Sequence, residues 1–188
     1  MLIPQILLAL AVCWCAAALS FFVHEMGHAT AAIAMFGKDS VSRVSVGVGP
    51  RVVWHGKLVA RLFPISGRTW VVERDLTPAQ AAFISLAGPV ASTLLGLSML
   101  LLAKHHDQIQ GRQFLVVLGQ INMAIAAMNL LPMPPLDGWR AIEPALCRRY
   151  GWHPASDGMQ IAYRAGYGLL AAANVWVAAW MIWGRWVG

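Results

Sequence analysis

The segment FFVHEMGHAT, Phe21–Thr30, carries two histidines four residues apart, with a glutamate directly after the first. On a helix, positions i and i+4 differ by about 40° in direction and about 6 Å in height, so His24 and His28 can grip one metal ion between them. Glu25 lies one step around the helix. From there its carboxylate can reach a water held at the metal without occupying a ligand position. That is the mechanical content of H-E-x-x-H: two zinc ligands and a general base. The chain has six His and three Glu in 188 residues. A chance match is therefore expected only roughly 0.003 times.

A catalytic zinc takes three protein ligands and keeps a fourth position open. A later segment reads NLLPMPPLDGW, Asn129–Trp139, and Asp137 is its only carboxylate. Pro132, Pro134 and Pro135 break a helix just ahead of it and can turn Asp137 back towards the first helix. Taken alone, Leu-Asp-Gly is an ordinary turn. Set opposite HEMGH on the same face of a membrane, it supplies the missing ligand.

The elements that must position these residues are mostly apolar. The chain is 59% hydrophobic and 12% charged, with a mean hydropathy of +0.60. A soluble domain would carry about twice that charged fraction. The reading is an α-helical integral membrane protein. About four transmembrane helices are expected, over 2–36, 79–103, 114–131 and 165–183. Between the first two, residues 41–73 alternate polar with valine-rich apolar positions and read as a small membrane-associated β-hairpin or sheet of two to four strands. The first helix is longer than a bilayer requires and must tilt, break or protrude. Ionisable groups inside such a segment are functional by default.

Alternate loops divide the basic residues. Lys38, Arg43, Arg51, Lys57, Arg61, Arg68, Arg74, Arg140, Arg148, Arg149 and Arg164 fall on one side, and Lys104, Arg112 and Arg185 on the other. The positive-inside rule makes the strand-bearing face cytoplasmic and both termini external. The net charge of +6 thus reads as topology, with no nucleic acid as partner. Trp176, Trp180, Trp183 and Trp186 are expected to form an interfacial belt. Cys13, Cys15 and Cys147 read as small packing residues without a disulfide. The N-terminal run has no Lys or Arg before Lys38, and reads as a retained span rather than a signal peptide. His105 and His106, His55 and His153 read as solvated surface residues, and Arg148 and Arg149 as contacts to lipid head groups.

HEMGH on a first membrane helix, followed by NLLPMPPLDG, resembles the site-2 protease family of intramembrane zinc metalloproteases of the M50 type. SLAGPVAS (Ser85–Ser92) resembles that family's middle core helix, and VGVGP its membrane-facing hairpin. The resemblance covers most of residues 15–140. It implies a single intramembrane metalloprotease domain over 1–188 with a three-helix core and one Zn2+ per chain. It also implies a cytosol-facing site and cleavage of membrane proteins in or beside their transmembrane helices. By it, His24, His28 and Asp137 are the metal ligands, Glu25 is the base, and Asn129 positions substrate or supports the oxyanion. FPISGRTW (Phe63–Trp70) replaces the Gly-Gly-Tyr-like stretch common in that family. The loop between the second and third helices is too short for an inserted PDZ-like domain.

A substrate helix must unwind before its carbonyls can be attacked. An exposed strand near Val44–Val53, with Val46, Gly47, Val48 and Gly49, is expected to pair with it by strand addition. The expected partners are a transmembrane protein substrate, the lipid bilayer and a regulatory membrane protein, in the inner membrane of a prokaryote. The alternative is a catalytically inactive relative acting as a membrane scaffold. A metal transporter fits less well, because the second and fourth apolar segments carry almost no charge at their centres.

Overall fold

The computed structural model describes residues 2–72, 76–153 and 155–183, with positions 2, 9, 110 and 173–183 described by their backbone only. In chain order the elements are α1 (Leu2–Phe36), a 3-10 turn (Lys38–Ser40), β1 (Val41–His55), β2 (Leu58–Val71), α2 (Pro78–Lys104), α3 (Ile109–Asn129), α4 (Asp137–Tyr150) and α5 (Asp157–Trp183). Trp176, Trp180, Trp183 and Trp186, the expected belt, lie outside the residues whose side chains are described.

The first half of α1 presents Ile3, Leu7, Leu8 and Leu10 outwards, all exposed. Its second half is the buried part of the helix. There Ala29, Ala31 and Ala32 pack with Val41 and Val44 of β1 and Ile84 of α2. Small alanines let sheet and helix approach closely on the side that also carries the motif. α2 begins at a capping box, in which Thr77 and Gln80 each bond the other's backbone N–H and Pro78 opens the helix.

Two helices among the described residues are long and apolar enough to cross a bilayer, Ile3–Phe36 and Pro78–Lys104, with mean hydropathies of 2.6 and 1.9. The four-span expectation is thus met in part. Gln113, Gln120 and Asn122 dilute α3. α5 starts at Asp157, ahead of the expected residue 165, because Asp157, Gln160 and Arg164 are helical yet polar. α4 starts at Asp137 itself, so this residue opens a helix rather than sitting in a turn.

β1 and β2 form one antiparallel pair whose register shifts repeatedly. Val44, Ser45 and Val46 face Thr69, Arg68 and Gly67 in antiparallel register. The same three residues also face Leu58, Val59 and Ala60, a set that advances in step on both strands. The chain bends at Gly47 and Gly49, which have φ of 88° and 87°. Each long strand thereby acts as two short ones. The expected docking strand near Val44–Val53 needs correction on this ground. Its first part already has strand partners on both sides. The stretch Gly67–Val71 has a strand partner on one side only, among the described residues.

Candidate metal centre

Two elements deliver the cluster. α1 supplies His24 and His28, and the first residue of α4 supplies Asp137. All three are buried, at 4%, 8% and 5% exposure. His24 Nε2 lies 2.9 Å from Asp137 Oδ2, His28 Nε2 lies 3.3 Å from the same oxygen, and the two Nε2 atoms are 3.3 Å apart. Ligands 2.0–2.1 Å from a tetrahedral metal are separated by about 3.3 Å. The triangle therefore has the size of one face of a tetrahedral zinc site. Its donor set, two imidazoles and a carboxylate, is that of a catalytic rather than a purely structural site.

The outer faces of both imidazoles are fixed. His28 Nδ1 lies 2.8 Å from the Ile84 carbonyl. A carbonyl only accepts, so Nδ1 carries the hydrogen and the neutral ring turns the Nε2 lone pair towards the cluster. His24 Nδ1 lies 2.9 Å from Ser92 Oγ, which is fully buried on α2. Gly88 is required by the same packing, since a Cβ there would lie 2.2 Å from His28 Nε2. Pro89 follows it and removes the helical N–H that would bond the Ser85 carbonyl.

Glu25 is held from the sheet. Thr69 Oγ1 lies 2.7 Å from Glu25 Oε2 and 3.0 Å from the Glu25 carbonyl oxygen. A Cβ at Gly67 would lie 2.4 Å from Glu25 Cγ. Both residues lie within FPISGRTW, the stretch of β2 that departs from the family pattern. The base candidate thus leaves α1 but takes its orientation from β2.

These groups share one cleft of about 740 Å³, walled by all three parts of the fold: α1, the sheet and the later helices. Asn129 is on its wall, with its amide donated to the Ile125 carbonyl one turn back at 2.9 Å. Of the four expected strand residues, Gly47 and Val48 line the cleft. Val46 is buried between its two strand partners. Gly49 accepts a hydrogen bond from Arg61 Nη1 at 2.8 Å. Ser92, Thr69, Gly67 and Gly88 were not singled out by the sequence reading. Single serines, threonines and glycines have no spacing of their own, and only the compactness of SLAGPVAS points at two of them.

A prediction follows for Ser92. Replacing it by Ala removes the partner of His24 Nδ1, and zinc affinity falls by about 10–100-fold. Threonine keeps a hydroxyl and restores most of it. Competition against a fluorescent chelator measures this, and an unchanged affinity in Ser92→Ala removes the role.

The family model described as Peptidase family M50 matches residues 13–111 and 102–173. A zinc metalloprotease of Methanocaldococcus jannaschii is 32% identical over 93 residues, covering 48% of this chain and 26% of its own. A provisionally named zinc metalloprotease of Synechocystis sp. is 28% identical over 150 residues, covering 79% of this chain and 34% of its own. The similarly named Rip2 of Mycolicibacterium smegmatis is 31% identical over 143 residues, covering 68% and 54%. The chain thus spans between about a quarter and about a half of the length of these relatives. Among solved structures, the site-2 protease from Methanocaldococcus jannaschii shares the fold, with a TM-score of 0.63 at 24% identity over 91% of this chain and 69% of that one. On the family match, which takes in both the HEMGH and the LDG motifs, this chain belongs to peptidase family M50.

Proposed function

We propose that this chain is an intramembrane zinc endopeptidase that cuts membrane proteins in or near their transmembrane segments. The observation that carries this reading is the closed triangle of His24, His28 and Asp137, with Glu25 opening onto the same cleft. The names of the M50 relatives support it. On this reading the chain is one domain. α3 and α5 cross the bilayer beside α1 and α2, the cleft faces the cytoplasm of a prokaryote, and both termini are external.

Bound zinc would supply Lewis acidity, lowering the pKa of a water towards ~7 and polarising a scissile carbonyl. His24, His28 and Asp137 would hold it, the two imidazoles braced from outside by Ser92 and the Ile84 carbonyl. Glu25 accepts the proton of the attacking water and returns it to the leaving amide nitrogen, so that no net proton is consumed. Thr69 fixes one carboxylate oxygen during this exchange and leaves the other for the proton. The unwound substrate would lie along the open side of Gly67–Val71, whose residues line the cleft, beside the residues that hold Glu25.

The test is cleavage of a transmembrane substrate by the purified chain in proteoliposomes. A defined product is expected, and its absence with zinc bound would overturn the reading in favour of a scaffold. N-methylation of single backbone amides in the substrate tests the docking strand. A lost hydrogen bond worth ~1 kcal/mol slows cleavage about fivefold. Alternate positions are affected, as strand pairing demands. Equal effects at neighbouring positions would remove the strand-addition geometry.

A further inference from the structure

Besides its metal-centre residues, the cleft is lined by three arginines: Arg61 and Arg68 on β2 and Arg140 on α4. Neutral groups occupy two of them. Arg61 donates to the Gly49 carbonyl, and the Arg68 guanidinium lies 5.4 Å from the Trp70 ring centre. Among the described residues, the ion pairs are those of Asp137 with the two histidines and that of Lys57 with Asp39, so no arginine is paired with a carboxylate. The sequence from Ser40 to Val72 contains four Arg and one Lys but no Asp or Glu. The two acids of the cleft, Glu25 and Asp137, are engaged by Thr69 and by the histidines.

With a divalent ion in place, the charges of Glu25 and Asp137 are offset and the arginines remain as an excess of three positive charges. Guanidinium groups bind carboxylates in a matched planar fork. Three arginines from two elements of the cleft lining suit an extended chain with several carboxylates better than one terminal carboxylate.

We propose that Arg61, Arg68 and Arg140 select substrate segments bearing Asp or Glu side chains beside the scissile bond. This rests on the protease reading above and names the class of sequence that site would take. The same arginines would also attract an anionic lipid head group. They line the same cleft as Glu25 and the cluster of His24, His28 and Asp137, where the peptide must lie, and this favours the peptide.

The experiment uses the full chain in nanodiscs of zwitterionic lipid and two transmembrane substrates. They differ only in three residues flanking the cleavage point, all Glu in one and all Gln in the other. The Glu substrate is expected to be cut about tenfold faster in kcat/KM at low salt. The preference shrinks as the Debye length falls from ~30 Å at 0.01 M to ~8 Å at 0.15 M salt. The double variant Arg68→Gln, Arg140→Gln loses the preference, and Arg140→Glu shifts it towards a substrate with Lys at those positions. Equal rates for both substrates, or a preference that survives in the double variant, overturn the proposal. A gain on adding anionic lipid that is the same for both substrates also overturns it, and assigns the arginines to head groups. Binding of each substrate to Glu25→Gln, read by fluorescence anisotropy, separates the two layers. If wild type cuts neither substrate while the Glu form binds about tenfold tighter, proteolysis fails and the charge selection stands.

Discussion

Glu25→Gln is expected to lower cleavage by about a thousandfold while the chain keeps its zinc. The magnitude is that of a positioned general base, which contributes 10²–10⁴-fold. The substitution preserves shape. A glutamine at 25 still offers an oxygen to the Thr69 hydroxyl and still fits against Gly67. It cannot take a proton at neutral pH. Since Glu25 is not a member of the triangle of His24, His28 and Asp137, its loss leaves the metal ligands untouched. Metal content by atomic absorption and cleavage in proteoliposomes are measured on the same preparation. Cleavage by Glu25→Gln at a rate near wild type would move the base elsewhere. Loss of zinc together with activity would give Glu25 a ligand role that the geometry does not support.

Asp137→Ala removes activity by another route, through the metal itself. Its Oδ2 contacts both imidazoles, at 2.9 and 3.3 Å. Outer partners of zinc ligands already contribute 10–100-fold in affinity. Deleting a ligand outright is therefore expected to weaken zinc binding by more than about a hundredfold, and cleavage falls with occupancy. Chelation of the wild type reproduces the loss, and added zinc reverses it only there. A full complement of zinc in Asp137→Ala, measured by chelator competition, would exclude Asp137 from the centre. The pair of substitutions thus divides the site. One removes the proton carrier with metal in place, and the other removes the metal with the proton carrier in place.

Much of this arrangement can be read from the chain, and the rest resists for physical reasons. The apolar run from Leu2 to Phe36 coincides with α1, because an unbroken apolar stretch has no competing conformation in a bilayer. His24, His28 and Asp137 were legible because metal binding demands particular residue types at particular spacings. The start of α5 was missed because hydropathy marks where lipid begins, whereas Asp157 starts a helix for reasons of backbone geometry. The strands run from Val41 to Val71, inside the expected 41–73, yet their pairing was not readable. Which edges remain open depends on how the chain bends at Gly47 and Gly49, and alternation along a strand carries no record of that. Thr69 and Ser92 each act through one hydroxyl, placed by contacts 44 and 68 residues distant in sequence.

The grip of Thr69 and Gly67 on Glu25 has a mechanical corollary. On the proposed reading the acid–base group is anchored on α1 and oriented from β2, so the hairpin would work as a clutch. Any shift of β2 along α1, whether from a docked peptide or an adjoining protein, would disengage proton transfer while the ion stays seated. Throttling of this kind needs no change at the metal, only a sliding of the hairpin by a fraction of a residue.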